Sequence, residues 1–277
     1  MPIVTVSRGF PAGCQAVAEA VAASLGCACI GREILVEAAA KLGVSEDLLS
    51  SKIEHVPSLW DRLRVERQRY LIAVQAALAE HVVNGDLVYH SYAGHLLLKD
   101  LPCVLRVRIV APMETRIGEA MRSENVTRHQ AEVSARRYDD VRGRWTKTIY
   151  GVDWSDPSLY DLVLNLERLS VAEATECIVR MAQQPRFAIN EDLRRKLQDF
   201  LLVTRVRLAV EQSPATCGLA MEVTVQDGGV IVSVLAPEAS MPGAVPGVFR
   251  GELMTVLRAI EGVRLVELKI EQQGFLP

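Results

Sequence analysis

The stretch from Ile3 to Leu25 limits the fold of this chain more than any other. Ile3, Val4 and Val6 are bulky β-formers in a short apolar run, whereas Val17, Val21 and Leu25 recur at helical spacing. Between them lies Arg8-Gly9-Phe10-Pro11-Ala12-Gly13-Cys14-Gln15, so the stretch reads strand, loop, helix. A strand that passes through a glycine-containing turn into a helix gathers the unpaired N–H groups of the helix start around one point. That point attracts anions, phosphate above all. Arg8, Gly9, Ala12, Gly13, Cys14 and Gln15 are therefore the candidate binding set. The plain alternative is a strand, a turn and a helix with no ligand.

Against the phosphate-loop pattern G-x-x-x-x-G-K-[ST], with Gly13 as the second glycine, Arg8 stands at the first glycine, Cys14 at the lysine and Gln15 at the magnesium-binding Ser/Thr. Backbone donors survive such changes; the ammonium does not. Removing a unit charge from about 4 Å of a phosphate oxygen forfeits up to roughly 4 kcal/mol at an effective dielectric near 20. Each ~1.4 kcal/mol is tenfold in rate. Phosphoryl transfer is expected to be slow unless another cation fills in, and Arg8 is the nearest in sequence.

The 277 residues, 49% hydrophobic and 23% charged, are enough for two domains. A net charge of -3 gives no broad attraction for nucleic acid or anionic membrane, so no nucleic-acid partner is expected. Six cysteines (14, 27, 29, 103, 177, 217) lack a C-x-x-C pair and read as reduced core residues of a cytoplasmic protein, with no zinc site. No uncharged stretch reaches the ~18 residues of a membrane span, and no basic-then-apolar leader precedes the first strand.

Cys27 to Ile30 reads as a short strand. Helices follow from Gly31-Arg32-Glu33 to Leu42, closed by Gly43, then from Ser45, then from Ser58 to about Val83. The last carries Arg62, Arg64, Arg67 and Arg69, which could clamp a phosphate but read more simply as a solvated face paired with Asp61 and Glu66. Leu87 to His90 and Val104 to Val110 read as strands and Met113 to Ser123 as a helix. Thr127 caps another helix that runs through Arg136-Arg137 toward Arg142-Gly143-Arg144-Trp145. Strands separated by helices imply crossovers and a parallel sheet, whose ligands lie beyond the C-terminal ends of its strands. Arg8, the Tyr89 to Gly94 turn and Ala111-Pro112 fall on that edge.

Several segments resemble, in order and spacing, the cytidylate kinase-like family of P-loop nucleotide kinases over roughly Met1 to Gln183. They are Val4-Thr5-Val6-Ser7-Arg8, Gly31-Arg32-Glu33-Ile34, Asp100-Leu101-Pro102, Ala111-Pro112-Met113-Glu114-Thr115-Arg116, the arginine-rich run from Asp139 to Tyr150, and Trp154 with Tyr160-Asp161-Leu162-Val163-Leu164-Asn165. The resemblance implies an α/β, P-loop NTPase-like fold: five parallel strands flanked by helices. It further implies ATP phosphates with Mg2+ at the first loop and a nucleoside monophosphate under the long helices. Lid arginines would close over the transferred phosphate, and Arg116, Arg142 and Arg144 are the catalytic candidates by position, with a structural role as the alternative for each. Phosphoryl transfer needs such groups, because it is almost wholly positioning and charge neutralisation.

Three departures from the family weigh against vigorous turnover. Pro11-Ala12-Gly13-Cys14-Gln15 replaces a glycine-rich loop, so proline removes a donor and β-carbons crowd the approach. Ser91-Tyr92-Ala93 replaces a Gly-Arg-Gly turn, and Gly31 replaces an acidic residue. His90 and His95 flank the altered turn; hydrogen-bonded placement is the simpler reading, recruitment to a site the other. Asp139, Asp140, Asp153 and Asp156 could attend magnesium, but none follows an apolar strand as a Walker-B aspartate does.

Gln183-Gln184-Pro185-Arg186 reads as a linker between a kinase-like domain, residues 1–184, and a small α+β domain, residues 190–277. In the latter a helix from Asn190 is followed by a hairpin across Gln226-Asp227-Gly228-Gly229, a helix from Phe249 and a strand from Gly262. This order resembles the BON-type domain, whose members bind membranes, ligands or partners; a dimerisation or packing module is the alternative. Two functions stay open. One is a nucleotide-binding protein related to ATP-dependent nucleoside monophosphate kinases, with weak or lost phosphotransfer. The other is a non-catalytic regulator or scaffold whose C-terminal module takes a partner, a ligand or a second copy of the chain.

Overall fold

The computed structural model describes residues 2–8, 11–54, 63–91, 93–226, 228–236 and 246–272. The chain divides into two compact units: residues 1–36, 50–58 and 84–190 form one, and 37–49, 59–83 and 191–277 the other. In chain order the elements up to residue 190 are β1 (Ile3–Arg8), α1 (Pro11–Leu25), β2 (Ala28–Ile30), α2 (Glu33–Leu42), α3 (Glu46–Glu54), α4 (Leu63–Val82), β3 (Leu87–Tyr89), α5 (Gly94–Leu97), β4 (Val104–Val110), α6 (Met113–Glu124), α7 (Arg128–Tyr150), β5 (Leu162–Asn165) and α8 (Val171–Ala182). There follow α9 (Glu191–Gln212), β6 (Met221–Gln226), β7 (Gly229–Ala236), α10 (Pro246–Arg258) and β8 (Leu265–Gln272).

In the first unit the strands form the expected five-stranded parallel sheet, in the order β2-β3-β1-β4-β5. Alternate side chains of each strand take opposite faces. Val4, Val6, Val88, Leu105, Val107 and Ile109 share one face, and they pack with Val17, Ala18 and Val21 of α1 and Ala174, Ile178 and Ala182 of α8. Each of the Val, Leu and Ile side chains stabilises the fold by about 1.5–3 kcal/mol when fully buried, so this face holds the unit together. The register pairs Thr5 with Tyr89 and Arg106, and Ser7 with Arg108, on the opposite face. Helix α5 lies against β1 and β4. Gly94 permits that approach, since a Cβ there would stand 2.5 Å from Tyr89 Cδ1 and 3.1 Å from Thr5 Cγ2.

Local chemistry sets several helix ends. Thr127 and Ser170 form capping boxes with Gln130 and Glu173, and the Ser45 hydroxyl accepts from the Leu48 N–H at 3.3 Å. Gly43 and Gly151 close their helices in the left-handed conformation, at φ of 66° and 69°. Helix α1 departs from the loop expected through Gln15, because it begins at Pro11. Proline at the first helical position gives up an N–H that the helix does not use and presets φ, so winding starts there. Gly9 and residues 58–62 lie outside the described residues, as do the side chains of Arg8, Ala12, Arg62, Arg64 and Arg67. None of the six cysteines is in a disulfide; Cys14 and Cys103 are buried, but Cys177 and Cys217 are exposed, so the core placement expected of them holds only in part.

In the second unit β6 and β7 pair antiparallel and β7 and β8 parallel. Val223, Val230, Val232 and Val234 bury one face with Leu202, Val206 and Val210 of α9 and Leu253 and Leu257 of α10. Helix α4 packs on α9 within the same unit, which therefore includes more of the chain than residues 190–277.

Candidate functional site

The turn that leaves β1 is where the sequence points. Cys14 is fully buried, its thiol directed at the Ser7 carbonyl 3.9 Å away. Gln15 lies along the exposed side of α1 and donates to Glu19 Oε1 at 2.8 Å. Gly13 is buried in the first turn of α1, and Ala12 precedes it there. A thiol turned inward and an amide held by its own helix supply neither the ammonium nor the hydroxyl of a phosphate loop.

The four aspartates considered for magnesium are engaged locally. Asp139 accepts from Arg116 at 2.7 and 2.9 Å, and Asp140 lies 3.4 Å from Arg144. Asp153 and Asp156 close their own turns by accepting from Ser155 and Ser158 backbone N–H groups, each at 2.8 Å, and these bonds hold both carboxyls below the usual range. Among the described residues no cluster of three or more His, Cys, Asp and Glu could hold a metal ion. Among the described residues of the loop, Cys14 and Gln15 do not supply the hydroxyl that a phosphate loop lends to magnesium.

The three candidate lid arginines separate in space. Arg116 is only 11% exposed at its side chain and is pinned by Asp139 and the Ala135 carbonyl, which braces α6 on α7. Arg144 is exposed and faces Asp140 one turn away. Arg142 has its Cζ 4.8 Å from the Tyr138 ring centroid and 5.8 Å from that of Trp154, within the range of attraction to an aromatic face.

Trp154 is shared with a residue the sequence reading passed over. Arg108 lies 4.5 Å over the Trp154 ring and 5.6 Å from that of Tyr160, and its Nη1 donates to the Ser155 carbonyl at 2.6 Å. Tyr160 in turn donates its hydroxyl proton to the Trp154 carbonyl at 2.8 Å. With that proton committed, its oxygen accepts from His95 Nε2–H at 3.3 Å, which leaves His95 Nδ1 as a lone pair. Burial pushes His95 down to about 3, and the charges of Arg142, Arg106 and Arg108 add to the shift. Burial raises the Tyr160 hydroxyl, an effect that Ser7, Arg108 and Arg142 partly counter. Thr5 Oγ1, Ser7 Oγ, His95 Nδ1 and Arg108 Nε are buried without a full hydrogen bond.

The signal for this cluster was present in β4. Val-Leu-Arg-Val-Arg-Ile-Val places Arg106 and Arg108 on one face of a strand that a parallel sheet surrounds, where a continuous apolar run is the rule. Arg106 is accounted for by Asp161, which it meets through two side-chain hydrogen bonds at 3.0 and 3.2 Å. Among the described residues, Arg108 has no such acid.

A central strand running into a helix, a parallel sheet in the order β2-β3-β1-β4-β5 and an arginine-bearing helical pair after β4 define a nucleotide kinase-like α/β protein. The chain belongs to the cytidylate kinase-like family, whose model matches residues 3–168. It is similar to a cytidylate kinase of Staphylothermus marinus, 28% identical over 53% of this chain and 76% of that one. A cytidylate kinase of Methanothrix thermoacetophila is 27% identical over 60% of this chain and 89% of its own length. Among solved structures, an uncharacterized protein from Eubacterium ventriosum shares the fold with a TM-score of 0.51 at 17% identity, covering 66% of this chain and 99% of that one.

Proposed function

We propose that the chain binds a nucleotide at the β1–α1 turn and is built on a nucleoside monophosphate kinase plan, with phosphotransfer weakened or lost. The observation that carries this reading is the inward Cys14 beside an engaged Gln15 at the two positions that would serve phosphate and metal. The first turn of α1 still offers backbone N–H groups to an anion. Family membership supplies the nucleotide, and ATP delivered as its magnesium complex, with CMP as acceptor, is the first pair to examine.

A melting scan of the full-length chain with Mg-ATP, ATP, ADP and CMP tests the binding half. A ligand at a hundred times its dissociation constant adds ~2.7 kcal/mol of stability, and a shift of that order is expected with at least one nucleotide. A coupled assay tests the other half, with transfer from ATP to CMP expected well below the ~1–100 s⁻¹ of ordinary kinases. Turnover within that range overturns the weakened-transfer reading. No shift with any nucleotide overturns the binding reading and favours a scaffold acting through the second unit, whose separate sheet and core are its support.

A further inference from the structure

Arg108 is held more firmly than a surface cation needs to be. Two aromatic rings and the Ser155 carbonyl fix its plane, its Nε is buried and unpartnered, and no described carboxylate lies within ion-pair range. Asp153 is the acid that feels its charge, and that carboxylate is committed to the N–H and hydroxyl of Ser155. A planar guanidinium presented in this way suits bidentate binding of an oxyanion. Arg142 brings a second guanidinium to the same indole.

The register supplies the third component. Ser7 pairs with Arg108 across β1 and β4, one residue before the end of β1, and its hydroxyl, nine-tenths buried, approaches that of Tyr160 without a full hydrogen bond. We propose that Arg108 and Arg142, seated around Trp154, form with the Ser7 hydroxyl a clamp for a phosphoryl group of the bound nucleotide. The strand then supplies the charge that position 14 lacks. The clamp rests on the nucleotide reading above.

Calorimetric titration of the full-length protein with CMP, cytidine and inorganic pyrophosphate, in wild type, Arg108→Met and Arg108→Lys, tests it. Arg108→Met is expected to weaken CMP and pyrophosphate by about 10- to 100-fold, the range of a charge-assisted pair, and to leave cytidine unchanged. Arg108→Lys is expected to recover only part of that, because an ammonium neither stacks nor forks. Equal CMP affinity in wild type and Arg108→Met overturns the clamp and leaves the nucleotide reading standing. Pyrophosphate binding that Arg108→Met abolishes, with CMP unbound, supports the clamp and removes CMP as its nucleotide. A wild type that binds neither anion overturns the clamp, and the melting scan with ATP and ADP then decides the nucleotide reading. If Arg108→Met does not fold, Arg108→Lys decides, and affinity equal to wild type counts against the clamp.

Discussion

The two faces of the parallel sheet are made by the same strands and have opposite characters. On the face toward α1 and α8, Val4, Val6, Leu105, Val107 and Ile109 are all essentially inaccessible, and packing is their whole role. On the other, Thr5, Ser7, Arg106 and Arg108 take the alternate positions of the same two strands, with Tyr160 and His95 over them. A buried polar group costs stability unless it is hydrogen-bonded. Several of these groups are not, so the second face holds polar capacity that folding does not use. Packing stability resides on one face and unused polar capacity on the other.

The sharpest break of this comparison is expected on the apolar face. Ile109→Ala should lower the free energy of unfolding by about 3 kcal/mol, because a cavity adds to the lost transfer energy, and a urea titration measures it. It should leave the clamp intact, so nucleotide affinity of the folded fraction is expected to hold.

Acid is the next largest lever, and it acts on the polar face. With a folded His95 near 3 against an ordinary value of 6.5, the unfolded chain takes up a proton between those limits that the folded chain refuses. Stability therefore falls as the pH drops through that window, by up to about 1.4 kcal/mol per unit. His95→Gln should remove this part of the slope, as urea midpoints at about pH 7 and about pH 4.5 would show.

Gly94→Ala sharpens the boundary between the faces. Its methyl group would meet the Tyr89 ring at 2.5 Å, and Tyr89 is too deeply buried to yield. A loss of about 2 kcal/mol is expected in a thermal melt. Tyr160→Phe should cost about 1 kcal/mol, since the Trp154 carbonyl and His95 lose their partner. The ring beneath Arg108 survives, so phosphate affinity is expected to change less than stability. Arg144→Ala is the smallest: its exposed pair with Asp140 contributes at most about 0.5 kcal/mol, and a larger fall in nucleotide affinity than in stability would mark a lid role.

Much of the fold was legible, for local reasons. The Val-rich run of β1, the Thr127 cap and the glycine closing α2 each announce themselves within a few residues. The site was less so. Arg116, singled out by its place after Ala111-Pro112, is taken by Asp139 from a helix 23 residues on, a pairing that no spacing reveals. Arg108 was overlooked although its alternation was visible, because a charge in a strand gains meaning only from what stands opposite.

By itself the sequence determined the alternation of β1 and β4, the helix caps, and the substitutions at positions 14 and 15, since each depends on residues a few bonds apart. Only the tertiary structure decided which arginines are spent and which are not. That outcome depends on the parallel register that sets Ser7 beside Arg108, and on the return of the chain after α7 that lays Trp154 and Tyr160 against the guanidinium. Cations and carboxylates far apart in the chain compete for partners, and only their distances in the folded protein settle the competition.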